Sequence, residues 1–148
     1  KLISNNSTIS FAESFTGGKI SDSLVSVPGA SSFFKGSIVC YSTASKVNNL
    51  SIKMDLIDKY SVVSKEVVES MALNVKKMFS SDYSLATTGN AGPTKGDSNK
   101  EIGTVYIGIA TPEKVFSFEF NFGNSRERIT GKSVNKSFEL LLKELLKN

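Results

Sequence analysis

"STISFAESFTGGKISDSLVSV" (residues 7–27) runs from an apolar alternation through paired glycines into a helical spacing. Residues 7–12 read as a short strand. "ESFTGG" (13–18) follows, with a serine and two glycines where the apolar run stops. Ile20, Leu24 and Val27 then recur at helical spacing until Pro28-Gly29 ends the pattern. A strand that turns over glycines into a helix is the repeating unit of an α/β domain. Such a corner can be a plain turn, or it can hold a nucleophile, a phosphate, or both.

Outward from this unit, strands mostly alternate with helices. "KGSIVCY" (35–41) reads as a buried strand, and residues around 43–50 as a short helix. "SKEVVESMALNVKKMF" (64–79) is the clearest internal helix. Val67, Val68, Met71, Ala72, Val75, Met78 and Phe79 make its apolar face, and Ser64 is a good N-cap. "YSLATT" (83–88) reads as a strand followed by the loop "GNAGPTKGDSNKE". "GTVYIGIA" (103–110) and "VFSFEFNF" (115–122) read as a hairpin. In the second of these, Phe116, Phe118, Phe120 and Phe122 alternate with polar residues, so one face should be buried and one wet. A last helix spans 125–146 with Ile129, Val134, Phe138, Leu141, Leu142 and Leu145 inward, and Asn124 and Glu127 have capping-box spacing. The expected fold is a three-layer α/β sandwich around a mixed, mostly parallel sheet. Function should lie in the loops at the carboxyl ends of the parallel strands.

Composition narrows the chemistry. The 148 residues suit one domain, here 1–148, and 39% hydrophobic with 22% charged residues is ordinary for a globular chain. The chain begins at Lys1 without an initiator methionine, so further N-terminal residues are expected. No apolar run is long enough to span a bilayer, and no signal-peptide pattern opens the chain, so no membrane partner is expected. The single cysteine, Cys40, excludes an internal disulfide framework and suits a reducing cytoplasm. The net charge of +4 comes without a dense Lys/Arg block, so nucleic acid is not an expected partner. There is no histidine. A Ser-His-Asp triad and a His-ligated zinc site therefore cannot be built, no metal or cofactor is expected, and any nucleophilic serine needs another base, with lysine the main candidate.

Three loops are chemically rich, and parallel strands would place them on one rim. In the first, Gly17 and Gly18 let the backbone approach a ligand, and N–H groups at a helix start favour a phosphate or a developing oxyanion. Ser14 would lie beside them, and Ser14 and Thr16 could equally cap the helix. A Walker A reading fails because Ile20 stands where Ser or Thr is needed. In the second, "CYSTASK" (40–46), Lys46 follows Tyr41 by five residues. It is either a solvated surface lysine or, if buried near a helix start, a base with a lowered pKa. In the third, "TTGNAGP" (87–93), Gly89, Ala91 and Gly92 leave room for a ring or ribose, or simply form a turn.

"AESFTGG", "SVPGASSFFKGSIVCYSTASK", "VVSKEVVESMA", "TTGNAGP" and "GTVYIGIA" follow one another in the order and spacing of a known family. From about residue 8 onward the chain resembles the CinA C-terminal domain family, which includes stand-alone nicotinamide-nucleotide amidases. The resemblance implies an α/β sandwich that hydrolyses the carboxamide of nicotinamide mononucleotide to nicotinate mononucleotide and ammonia. It places the nucleophile on Ser14 and the lysine on Lys46, with Tyr41 as a further catalytic residue beside Ser42. Thr16, Gly17 and Gly18 come with the serine's motif. Their amides would serve the oxyanion or the substrate phosphate. Gly89, Asn90, Ala91, Gly92 and Arg126 complete the implied substrate site. Three positions depart from the family's pattern. Phe15 replaces a frequent cysteine, Asn90 a frequent isoleucine, and Thr130 stands about where a second arginine is usual. The partner implied is a small nucleotide, and the phenylalanine-rich edge hairpin makes a homo-oligomer an expectation. Two rival functions remain at this level: a nucleotide-binding module without turnover, and a Ser-Lys hydrolase of another small amide.

Overall fold

A computed structural model describes residues 1–147. The first unit forms as its sequence indicates: β1 (Ile9–Glu13) ends in the glycine turn, and α1 (Lys19–Val25) starts directly after it. Then come β2 (Phe34–Val39), α2 (Thr43–Leu50), α3 (Met54–Tyr60), α4 (Lys65–Phe79), β3 (Tyr83–Gly89), β4 (Thr104–Ala110), β5 (Val115–Asn121) and α5 (Arg126–Leu145). The five strands form one sheet in the order β2-β1-β3-β4-β5. β1 pairs in parallel with β2 and β3, while β4 pairs antiparallel with β3 and β5. Four strands thus point one way, and only β4 runs against them. The carboxyl ends of β1, β2 and β3 consequently share a rim.

The two faces of the sheet are built from different side chains. Phe11, Leu85 and Ile109 pack on the side of α1 and α5 with Ile20, Ile129, Leu141 and Leu145. Their neighbours Ala12, Ala86 and Ala110 face α4 with Val67, Val68, Met71, Ala72 and Val75. The alternation of period two thus carries large residues on one face and small ones on the other. The small face lets α4 lie close. Ser10 Oγ donates to the Val75 carbonyl at 3.3 Å, and Ser84 Oγ donates to that of Ala72. At Gly108 a Cβ would stand 2.9 Å from the Val68 carbonyl oxygen.

Several local expectations are corrected. Residues 35–41 do not form a buried strand, because β2 is the sheet edge and is only half-buried. α3 has no counterpart in the sequence reading, since its seven residues give too few turns for a periodic signal. Val27, Met78 and Leu142 fit the helical spacing yet are exposed. Val27 lies past the end of α1, and the other two flank stripes already filled by their neighbours. The capping box of Asn124 and Glu127 does not form, for α5 takes Ser125 as its N-cap with no side-chain bond. The phenylalanine face of β5 is incompletely covered, with Phe118 38% exposed on an edge strand.

The close approach of α4 yields a test. Gly108→Ala should lower the free energy of unfolding by about 1–3 kcal/mol, the usual range for overpacking a filled site. Urea denaturation checks this, and an unchanged midpoint would mean that α4 can withdraw without loss.

Candidate active site

The turn that carries Ser14 is held by the residue before it. Glu13 is fully buried at the end of β1. Its carboxylate accepts the backbone N–H of Gly18 (3.2 Å), Ile20 (3.0 Å) and Ser21 (3.0 Å), and the Ser21 hydroxyl at 2.7 Å. A carboxylate thus fills the orphan donors at the start of α1, where negative charge is favoured. The backbone carbonyl of Glu13 also accepts the N–H of Cys40 at 2.9 Å. One residue therefore ties the serine turn to the end of β2.

That second end carries the lysine. Ser42 caps α2 by accepting the Ser45 N–H at 3.0 Å, and Lys46 lies on the first turn of the helix. Its side chain is 2% exposed. Lys46 Nζ donates to Ser14 Oγ at 2.8 Å, to the Cys40 carbonyl at 2.9 Å and to the Tyr41 carbonyl at 3.0 Å. Burial away from water pushes its pKa down to about 8, although the Cys40 sulfur and the Asp97 carboxylate act the other way. The three acceptors match the three donors of an ammonium. A neutral amine has two N–H groups and one lone pair. With both carbonyls able only to accept, the lone pair is left for the Ser14 hydroxyl.

Ser14, Tyr41, Ser42, Lys46, Gly89, Asn90, Ala91, Gly92 and Arg126 line a common cavity of about 330 Å³. Three of the expected residues do not. Thr16 is fully buried, and its hydroxyl shares a hydrogen bond of 2.9 Å with that of Thr87. The Gly17 N–H donates to the Ser14 carbonyl at 3.0 Å, and that of Gly18 is taken by Glu13. Both glycines have positive φ (60° and 100°), which explains their presence without a ligand. Among the described residues no protein acceptor takes the N–H of Phe15, which lines the cavity, so this is the donor left beside Ser14.

The remaining positions serve in ways that the sequence did not show. Tyr41 contributes its carbonyl to Lys46, while its hydroxyl accepts from Arg126 Nη2 at 2.7 Å. Arg126 Nη1 donates to the Gly92 carbonyl, which fixes the guanidinium at the cavity wall. The Asn90 side chain donates to the Lys100 carbonyl at 3.0 Å and so shapes its own loop. Phe15 packs against Gly89, where a Cβ would lie 2.8 Å from its ring. Thr130 returns its hydroxyl to the Arg126 carbonyl at 3.0 Å and lies away from the cavity. Glu13 and Thr87 were missed altogether. For Glu13 a signal existed, an acidic residue just ahead of a helix start. For Thr87 there was none.

Fold and site together define a three-layer α/β domain with a buried serine–lysine pair at the carboxyl rim of its parallel strands. The chain belongs to the CinA C-terminal domain family, whose profile matches residues 1–145. It is 55% identical over 141 residues to a CinA-like protein of Flavobacterium psychrophilum, covering 95% of this chain and 34% of that protein. A CinA-like protein of Endomicrobium trichonymphae is 43% identical, with 98% and 34% covered. The chain thus spans about a third of the length of these curated relatives. The crystal structure of the competence damage-inducible protein A (ComA) from Klebsiella pneumoniae superposes with a TM-score of 0.93 at 25% identity, covering 98% of this chain and 90% of that one. A competence-damaged protein (CinA) superfamily protein from Escherichia coli gives 0.92 at 27% identity, with 95% and 82% covered.

Removing the Glu13 carboxylate should strand buried donors at the start of α1. Glu13→Ala is expected to cost at least about 2 kcal/mol of stability, whereas Ser21→Ala, which removes one donor with its acceptor still satisfied, should cost clearly less. Denaturant unfolding of the two variants side by side is the check, and equal losses would refute the role given to the carboxylate.

Proposed function

We propose that this domain hydrolyses the carboxamide of nicotinamide mononucleotide to nicotinate mononucleotide and ammonia, with Ser14 as nucleophile and Lys46 as base. The observation that carries the reading is the 2.8 Å contact between the buried Lys46 Nζ and Ser14 Oγ on the wall of a cavity. The family resemblance supplies the substrate. On this reading the domain serves pyridine-nucleotide salvage in the cytoplasm.

The steps balance with these two residues alone. Neutral Lys46 takes the Ser14 proton as Oγ bonds to the carboxamide carbon. The N–H of Phe15, which lines the cavity beside Ser14, is the donor available to the developing oxyanion. When the carbon–nitrogen bond breaks, Lys46 returns the proton to the leaving nitrogen, which departs as ammonia. Water then attacks the ester on Ser14 while Lys46 takes its proton. The lysine hands that proton back to Oγ as the acid leaves. Gly89 and Gly92 do not open ring space themselves, because Phe15 and Ile102 occupy the places their side chains would take. Arg126 uses one N–H on Gly92 and one on Tyr41, so three of its five donors remain for a phosphate.

Ammonia release should be measured with nicotinamide mononucleotide, nicotinamide riboside and nicotinamide. Release from the nucleotide alone supports the reading. Equal release from the riboside would favour a hydrolase of another small amide, and no release from any of them would favour a binding module.

Four outcomes are expected of an active domain. Ser14→Ala should lose about three orders of magnitude or more in turnover with its fold intact, and Lys46→Arg, which keeps the charge but cannot give up its proton, should be nearly inactive. Either variant at a tenth of the normal rate would sink the mechanism. The working form of Lys46 is the neutral amine, and its pKa is lowered to about 8. The rate should therefore rise with pH through about 8 and level off above it. A profile flat between pH 7 and 9 would exclude Lys46 as the titrating base. Arg126→Ala should raise KM about tenfold or more with a smaller change in kcat, as loss of a charge-assisted contact to phosphate implies.

A further inference from the structure

We infer that Asp97 makes the cavity selective for a carboxamide borne on a positively charged ring, an N-substituted pyridinium, over the same carboxamide on an uncharged ring. This rests on the amidase reading above and adds to it the part of the ligand that is recognised. Among the described residues that line the cavity, Asp97 supplies the only carboxylate. Its place is set by Thr43, whose hydroxyl donates to Asp97 Oδ2 at 2.8 Å. Thr43 opens α2, one turn ahead of Lys46. The carboxylate is therefore anchored at the lysine end of the cavity, near enough for its charge to act on Lys46. Among the described residues no protein donor takes its second oxygen, and no cationic side chain pairs with it.

The other charges that line the cavity are cationic. Lys95 is engaged with Glu101 at 3.2 Å. Arg126 is fixed against Gly92 and Tyr41. A ligand that reaches Ser14 with its carboxamide must place the adjoining ring beside the Lys46 end and its more distant groups elsewhere. A cavity meant for a uniformly anionic ligand would be hindered by a carboxylate in that place, because like charges repel strongly once water is displaced. The opposed charges of Asp97 and Arg126 instead match a ligand that is positive at the ring and negative at the phosphate. Hydrolysis then adds a negative charge next to Asp97, which favours departure of the product.

The test uses binding, with chemistry silenced by Ser14→Ala. The probes are nicotinamide mononucleotide and its 1,4-dihydro form, which has the same ribose and phosphate but an uncharged ring. The Ser14→Ala protein should bind the cationic form about fivefold more tightly or better, the upper range for a partly exposed ion pair. Adding Asp97→Asn should bring the two dissociation constants together by weakening the cationic form alone, and Asp97→Glu should restore part of the preference. An unchanged preference in the Asp97→Asn protein would overturn the inference. So would equal weakening of both ligands, which would mean that Asp97 only orders its loop through Thr43. Ammonia release by the protein with Ser14 intact is scored separately. Release without ring selectivity defeats this inference alone, selectivity without release defeats the amidase reading alone, and no binding of either nucleotide defeats both.

Discussion

The site depends on burying a lysine amine with no carboxylate in hydrogen-bonding contact. Lys46 is 2% exposed, and its three polar contacts are two backbone carbonyls and one hydroxyl. Carbonyl dipoles stabilise an ammonium less than a carboxylate would, so burial prevails and the pKa falls toward neutrality. A direct carboxylate partner would have held the proton on the amine. The arrangement also needs the Cys40 and Tyr41 carbonyls to converge on one nitrogen from consecutive residues. That in turn needs the chain to leave the sheet just there, between the end of β2 and the Ser42 cap of α2.

Two neighbouring strands in parallel register make this convergence reproducible. Glu13 pairs with Val39, and the Glu13 carbonyl then receives the Cys40 N–H. Ser14 and Cys40 thus lie one residue beyond a shared ladder, and Tyr41 two. The Glu13 side chain meanwhile secures the start of α1, and with it the left-handed turn at Gly17 and Gly18. Its full burial is tolerable because four donors converge on it. The glycines therefore serve the geometry of the turn, with their own amides already occupied, and the free donor at the cavity is that of Phe15.

Much of the architecture was legible in the sequence, because it rests on periodicity and punctuation. The strand–glycine–helix unit, the apolar face of α4 and the paired strands 103–110 and 115–122 all have signals that survive without tertiary context. What was illegible depends on neighbours. β2 carries a buried-looking run, yet its position at the sheet edge comes from strand order, which no local pattern encodes. Thr16 and Thr87 look like ordinary polar residues until the parallel pairing of β1 and β3 sets their hydroxyls 2.9 Å apart. Ser14 and Lys46 stood out as chemical types, and the lack of histidine singled out lysine as a base. The burial that lowers the lysine pKa is a property of packing alone.

The lack of histidine has a structural corollary. An imidazole base needs a further group to fix its tautomer and orient its ring, which is why serine–histidine sites recruit a carboxylate. An amine has no tautomers, and its lone pair lies wherever its N–H groups do not. Two immobile acceptors from consecutive residues therefore suffice to aim it. The Cys40 and Tyr41 carbonyls do for Lys46 what the third member of a triad does for histidine, and they do it without a charge. The Cys40 thiol gains no nucleophilic role from this proximity, since burial raises its pKa against the opposing effect of Lys46. Of the two nucleophilic atoms near the amine, the serine oxygen is the one that can receive its lone pair and face the cavity.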